Sequence, residues 1–482
     1  MKNIKRFIVF IGALSVLGCS DDILTQIPDH VISEALVLKS ADKLQNLLTG
    51  SYNEISRNQY LGRVLYKRAA VKGTDFRFVK TTFNPRDYEQ IEYKYEESSN
   101  SSGSANGLWR QSFKVIGNLN LIIDNIDAAE GNPDQKGQIK AEALGLRGMT
   151  YFDLARTFAY PWIKEGASAQ GLPLNLSSSE VVIDRSNLGE TYNQIILDMT
   201  TALDLIEDNS WVPGSTTYIT KTGIKALLAR VYLYKQDWEN ALRYAEEVIA
   251  VRGESYLMTT SSYAFTDYTS ESLFELSITS QNSLGSNGLG AQFDFKQGGQ
   301  GDVIATQTFV DLLKTYQDDP RARFLEMDKE GGNNAFVKYT NRSEGGGLSD
   351  HNIPVIRLSE VYLIAAEAAA NGAGGGEAQA LTYLNTLIKN RTEDFQRDNA
   401  TETGEALNQR IAEERRRELA LEGHGVYDYI RRGVNIVRPT EEHVNTGVEI
   451  SNLNIMATDF RTIYPIPSSE IEASGMEQTQ GY

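Results

Sequence analysis

The sequence predicts a mainly α fold: about four helix pairs stacked side by side, with a loop-rich second lobe. Three observations predict it. Apolar residues recur at helical spacing in several segments, most sharply over 221–251. Short breaks join successive helical segments into pairs, and a lone pair cannot bury its own apolar face. Long irregular insertions near 60–107, 255–303 and 328–353 separate the pairs, and loops of that length in a folded chain are functional or disordered. With 41% hydrophobic and 23% charged residues among 482, the chain is not disordered throughout. Asp and Glu outnumber Lys and Arg by 64 to 47, a net charge of −17. That balance argues against binding nucleic acid, which needs clustered cations, and against docking on anionic lipid through basic patches.

The N-terminus comes first in chain order. Lys2, Lys5 and Arg6 precede an apolar run over 7–17, then Gly18 and Cys19. A cationic start and a short apolar stretch describe an export signal over 1–18 rather than a membrane span. Val16-Leu17-Gly18-Cys19 resembles a lipobox, so cleavage before Cys19 leaves a cysteine ready for lipidation. Ser20-Asp21-Asp22 is similar to acidic surface-export signals, and residues 19–40 read as a tether. Cys19 is the sole cysteine, which excludes an intramolecular disulfide. No later stretch approaches 18 uninterrupted apolar residues.

Residues 41–482 read as one domain. The first helix pair is expected within 41–126, formed by 41–56 and 109–126. The second, within 141–207, joins 141–158 to a helix whose stripe is Tyr192, Ile195, Ile196, Met199, Ala202, Leu203 and Ile206. Glu190, Asp198 and Asp204 fall on the opposite side of that stripe. In the third pair, 221–251, Ile224, Leu227, Leu228, Val231 and Tyr232 form one stripe, and Trp238, Ala241, Leu242, Ala245, Val248 and Ile249 form the next. Asp237, in the break between them, is placed to cap the second helix. The unit is about 33 residues long and resembles a tetratricopeptide repeat, which implies a right-handed superhelix. The fourth pair, 355–391, is split by Gly372, Gly374, Gly375 and Gly376. Trp109 and Trp238 fall on helical stripes and read as core.

Catalysis finds little support. The zinc-protease, nucleophile-elbow, phosphate-loop and paired-cysteine metal motifs are absent. His30, His351, His424 and His443 are scattered, and His424 reads as a cap or a packed ring. A pair of carboxylates at glycosidase spacing would not be visible in a sequence. The helix from Glu413 to Glu418 is dense in charge and offers the pairs Glu413/Arg417, Glu414/Arg417 and Arg415/Glu418, each supporting the helix by a few tenths of a kcal/mol.

That same segment, Ile411-Ala-Glu-Glu-Arg-Arg-Arg-Glu-Leu-Ala-Leu-Glu-Gly-His424 with Tyr427-Asp428 and Arg431-Arg432-Gly433, resembles the signature of the SusD/RagB family of outer-membrane nutrient-binding lipoproteins. So do residues 356–368, 143–154 around Arg147, the repeat at 220–250, and the ending Tyr464-Pro465-Ile466-Pro467-Ser468-Ser469-Glu470-Ile471. Together with the lipobox, these pieces occur in family order over nearly the whole mature chain. Gly425-Val426 departs from the pattern, which has Arg-Trp at that place. The resemblance implies four tetratricopeptide units as scaffold, the insertions as the ligand side, and binding without catalysis; no cofactor is expected, and the sequence names no metal ligands. It implies a lipid-anchored, surface-exposed protein of the outer membrane, seated as a lid on a SusC-like TonB-dependent transporter. The ligand it implies is a glycan, with peptide as the alternative; a tetratricopeptide scaffold for other proteins is the competing class.

Residues near 73–100 and 281–295 are expected to face one another around the ligand. Phe76, Tyr93, Tyr95 and Phe293 can supply flat apolar faces. Asp75, Arg77, Asn100, Gln281 and Asn282 can supply hydrogen bonds, Arg77 through a planar fork. The competing expectation is that these rings fill a satellite core under the loops.

Overall fold

The computed structural model describes residues 38–79, 89–100, 103–180, 183–207, 216–332, 334–339 and 349–482. Cys19, the lipobox and most of the 19–40 segment lie outside the described residues. In chain order the helices used below are α1 (Ala41–Ile55), α2 (Val64–Val71), α3 (Gly103–Asn125), α4 (Pro133–Phe158), α5 (Leu188–Leu205) and α6 (Lys221–Tyr234). They continue with α7 (Trp238–Val251), α8 (Gln307–Leu313), α9 (Leu358–Ala370), α10 (Gly376–Lys389), α11 (Gly404–Glu418) and α12 (Gly425–Arg431). Among the described residues no helix is long and apolar enough to cross a membrane.

The helices pack as successive neighbours: α1 on α3, α3 on α4, α4 on α5, α5 on α6, α6 on α7, α7 on α9 and α9 on α10. This is the tetratricopeptide-like arrangement of stacked helix pairs. Local chemistry sets where each helix starts. Asn187 and Glu190 form a capping box at α5, and Asp237 accepts from the Asn240 amide at 3.3 Å to open α7. Each such cap is worth about 1 kcal/mol. Between α9 and α10 the chain turns through left-handed backbone, with φ of 103° at Gly372 and 53° at Gly374. A side chain would be strained there, which explains the glycine run.

Most stripe residues are buried, while Ile196, Leu203, Trp238 and Ile249 are only partly covered at the edge of the core, and one expectation is corrected. Asp198 does not face solvent. It is buried and takes a two-pronged ion pair from Arg147 of α4, both N–O distances being 2.7 Å. The stripe shows which side of α5 is apolar, not that a cation from another helix waits at its edge.

The second lobe carries short antiparallel ladders: β1 (Phe76–Phe78) pairs with β3 (Val303–Ala305), and β2 (Ser272–Leu276) with β6 (Ile353–Arg357). β4 (Leu325–Glu326) pairs with β5 (Ala335–Phe336), and β7 (Ile436–Val437) with β8 (Asn454–Ile455). Phe76, Phe309, Phe324 and Phe336 interlock beneath them, with centroids 5.2–6.0 Å apart in successive pairs. This cluster is continuous with the core of the helical side.

Ion pairs buried at the junction of the two lobes hold them together. Glu418, at the end of α11, accepts from Arg391 at 2.9 Å, from Arg321 at 3.0 Å and from Arg357 at 3.1 Å. Arg357 also grips Glu271 and Glu422, and Lys338 donates to Glu422 at 2.6 Å. All are buried. The expectation of local pairs along this helix is therefore corrected in part. Of the three expected pairs, Glu414–Arg417 forms at 2.8 Å, but Arg415 turns to Asp428 and Glu413 accepts from Gln409. The charges point into the protein because their partners come from β6, from the loop after α10 and from the turn before β4. His424 is a packed ring, 3.4 Å from Glu360.

Just beyond, Gly425 lies against the backbone of α2. A Cβ there would stand 1.9 Å from the Ala69 carbonyl oxygen. The departure from the family pattern thus has a physical reason: only glycine permits this approach.

Removing one member of such a network leaves a buried charge without its partner. Glu418→Gln is expected to destabilise the protein by about 3–5 kcal/mol, read as a lower denaturant midpoint; a loss under about 1 kcal/mol would show that the network is not structural. Burial raises the Glu414 carboxyl, but Arg321 and Arg417 outweigh that and bring it down to about 2. A depressed carboxylate contributes stability above its unfolded value, and that contribution is lost as pH falls through the folded one. The denaturant midpoint should therefore drop progressively between about pH 4.5 and pH 2, and Glu414→Gln should flatten that slope.

Candidate functional site

Burial removes four of the expected ligand faces. Phe76 packs on Phe293, Phe309 and Phe336, at 6.4, 5.2 and 6.0 Å between centroids. Tyr93 is fully buried, its hydroxyl 2.7 Å from His443 Nδ1 and 2.8 Å from Thr446 Oγ1. Burial, then Arg438, pushes His443 down to about 3, so this ring is neutral. Tyr95 is buried with φ 59° and donates to the Lys72 carbonyl at 2.6 Å. Asp75 is committed to Arg416 at 2.5 Å. Rings at these places gain more by packing on each other than by waiting for a ligand, each buried ring contributing about 1.5–3 kcal/mol.

The remaining positions stay accessible to different degrees. Arg77 is half-buried and borders an open cleft of about 690 Å³ with Gln307, Asn334 and Asn445. Glu442 borders the same cleft, but it accepts from the backbone amides of Gln307 and Thr308 and so caps α8. Asn100 and Gln281 are exposed. Asn282 braces its own loop, accepting from the Thr279 amide and donating to Asn53 on α1 at 3.0 Å.

The two expected segments do meet, at Phe76 and Phe293, but as rings packed on each other rather than across an open site; more contacts with 281–295 come from residues that precede 73. Lys67 donates to Gln292 at 3.0 Å, and a Cβ at Gly62 would strike Leu284. Beside this contact opens a larger cleft, of about 890 Å³. One wall is the stretch 57–64, the other is the outer face of α3, and Asn287 closes one side. The face of α3 explains the opening. Gly103, Gly107, Arg110 and Lys114 recur at helical spacing on one side, while Leu108, Trp109, Val115 and Leu119 are buried on the other. Gly103 and Gly107 keep this face of the first two turns low, and the Gln59 side chain of the opposite wall lies 3.4 Å from where a Cβ on Gly107 would stand. Asn58, Gln59, Asn106, Gln111 and Asn287 line it with amides, each able to donate and accept. The sequence carried a signal for this site, the polar stripe Gly103-Gly107-Arg110-Lys114. It is obscured when the insertion is read as ending at 107, because that boundary cuts the stripe in two.

Arg63 is held by Glu89 through two hydrogen bonds, at 2.8 and 3.2 Å. Lys114 pairs with Glu54 at 2.9 Å, and Gln111 donates to the same carboxylate at 2.7 Å. The walls are therefore preset by ion pairs. Among the described residues no group of three or more His, Cys, Asp or Glu side chains is placed to hold a metal ion.

Comparison with known proteins places this architecture. A family profile described as "SusD family" matches residues 220–482, more than half of the chain. A second, described as "Starch-binding associating with outer membrane", matches residues 22–233. The SusD-like protein P25 of Formosa agariphila is 21% identical, over 98% of this chain and 97% of its own length. A SusD superfamily protein of Bacteroides thetaiotaomicron VPI-5482 has a crystal structure that covers 91% of this chain and 99% of its own, with a TM-score of 0.82 and 28% identity. A laminarin-binding SusD-like protein shares the fold at a TM-score of 0.67 and 19% identity, covering 92% of this chain and 100% of its own. With its signature helix buried at the junction of two lobes, its stacked helix pairs and these matches, the chain belongs to the SusD family.

Proposed function

We propose that the protein captures oligosaccharide at the outer-membrane surface, held there by a lipid on Cys19, and passes it to a SusC-like TonB-dependent transporter on which it sits as a lid. The family is one of carbohydrate-binding proteins rather than enzymes, and the description of its second profile associates it with the outer membrane. The observation that carries the reading is the open, amide-lined cleft between 57–64 and α3. Sugar hydroxyls need many directional donors and acceptors, and amides supply both from one group. Arg77, Asn100, Gln281 and Asn282 belong to the same reading as accessible polar positions near the loops. The anchor rests on the lipobox at 16–19, and the transporter on the family's signature pieces.

Affinity electrophoresis against a panel of polysaccharides, with peptides as the second arm, tests the ligand class. Gln59→Ala and Asn287→Ala are exposed changes. At least one should weaken glycan binding by over about 1 kcal/mol while the melting temperature holds. Retention of peptides alone would reverse the ligand class, and normal binding by both variants would move the site away from this cleft. For the anchor, Cys19→Ala should shift the protein from the outer-membrane fraction into a soluble one; unchanged membrane retention would dismiss lipidation.

A further inference from the structure

The cleft between 57–64 and α3 has a charge opposite to that of the chain. The protein as a whole carries −17, yet Arg57, Arg63, Arg110 and Lys114 line this cleft and no Asp or Glu is among its described lining residues. Two of the four cations are compensated from outside the lining: Arg63 by the buried Glu89, and Lys114 by Glu54. Arg57 and Arg110 are exposed and form no ion pair among the described residues, Arg57 lying only within longer electrostatic reach of Glu54. The cleft therefore holds an excess of positive charge with two free guanidinium forks.

Two further features point the same way. The 23-residue helix α3 opens into the cleft with its first turns, Gly103, Ser104, Asn106 and Gly107. A helix start carries partial positive charge from its aligned peptide dipoles, which adds to that of the cations. The lining also lacks what a neutral sugar ring uses best. Among the described lining residues there is no aromatic side chain and the one sizeable apolar group is Val64. Affinity in this cleft must come from charge and hydrogen bonds.

Resting on the reading of the protein as glycan-binding, we infer that its ligand is an anionic oligosaccharide, bearing carboxylate or sulfate groups that Arg57 and Arg110 engage while the amides read the hydroxyls. Guanidinium forks match both anions by paired hydrogen bonds. An acidic peptide could satisfy the charges, but the lining has no apolar recess for its side chains and far more amides than a carboxylate string needs.

The experiment is calorimetric titration of the purified protein with matched pairs. Oligogalacturonate is compared with its carboxyl-reduced form, and a sulfated galactan oligosaccharide with its desulfated form, at about 50 mM and about 500 mM salt. Polyglutamate is the peptide control. One charged member should bind at least about tenfold more tightly than its neutral counterpart, and the preference should shrink at high salt. Arg57→Gln with Arg110→Gln should abolish the preference with the melting temperature unchanged, and Arg57→Lys with Arg110→Lys should restore part of it. Equal binding of charged and neutral members, or a preference untouched by the double Gln variant, overturns the inference while leaving the carbohydrate reading standing. Polyglutamate binding as tightly as the better glycan overturns the glycan assignment. If none of these probes binds but neutral polysaccharides do, the anionic ligand is wrong; if no polysaccharide of any kind binds, the carbohydrate reading itself fails.

Discussion

Glu418 is where the two lobes become one body. Three arginines reach it from three places: Arg321 from the turn before β4, Arg357 from the end of β6, and Arg391 from the loop after α10. Burial raises its carboxyl, but these guanidinium groups hold it well below the usual carboxylate range. Desolvating so many charges is expensive, and only mutual saturation makes it tolerable. The consequence is selectivity of geometry. An apolar interface tolerates sliding, whereas a carboxylate shared by three forks fits at one placement. The loop-rich lobe has few ladders of its own, so the placement of its segments depends on this ionic junction.

The helices were legible because a stripe needs no knowledge of its partner. Asp237 and Asn187 cap where they stand, and Leu227 or Val248 bury whatever faces them. The charges were illegible for the complementary reason. Asp198 and Glu418 look solvated on a helical wheel, and only their distant partners, Arg147 and Arg391, make their burial sensible. Periodicity reports the environment a residue prefers when alone. It is silent on pairs that solve a shared problem from two different elements.

The rings illustrate a related limit. Phe76, Tyr93, Tyr95 and Phe293 sit in segments without helical period, so no stripe claimed them for the core. A short ladder at Phe76, one or two helical turns at Tyr93 and Phe293 and a loop at Tyr95 bury rings as effectively as long helices do, without leaving a repeat in the sequence. What stayed accessible was polar: Arg77, Asn100 and Gln281 among the expected residues, and the face of α3 among the overlooked ones. The cleft became visible only when the glycines of α3 were seen as space rather than as breaks.

The close approach of Gly425 to Ala69 has a consequence for descent. Ala69 belongs to α2, whose first residue, Val64, stands in the cleft wall beside Arg63. A relative with a bulky residue at position 425 must seat α2 farther out, and its wall moves with it. The width of the cleft is thus heritable through a position that does not line it. Lineages could drift toward wider or narrower clefts by exchanging one residue, leaving the side chains that line the cleft unchanged.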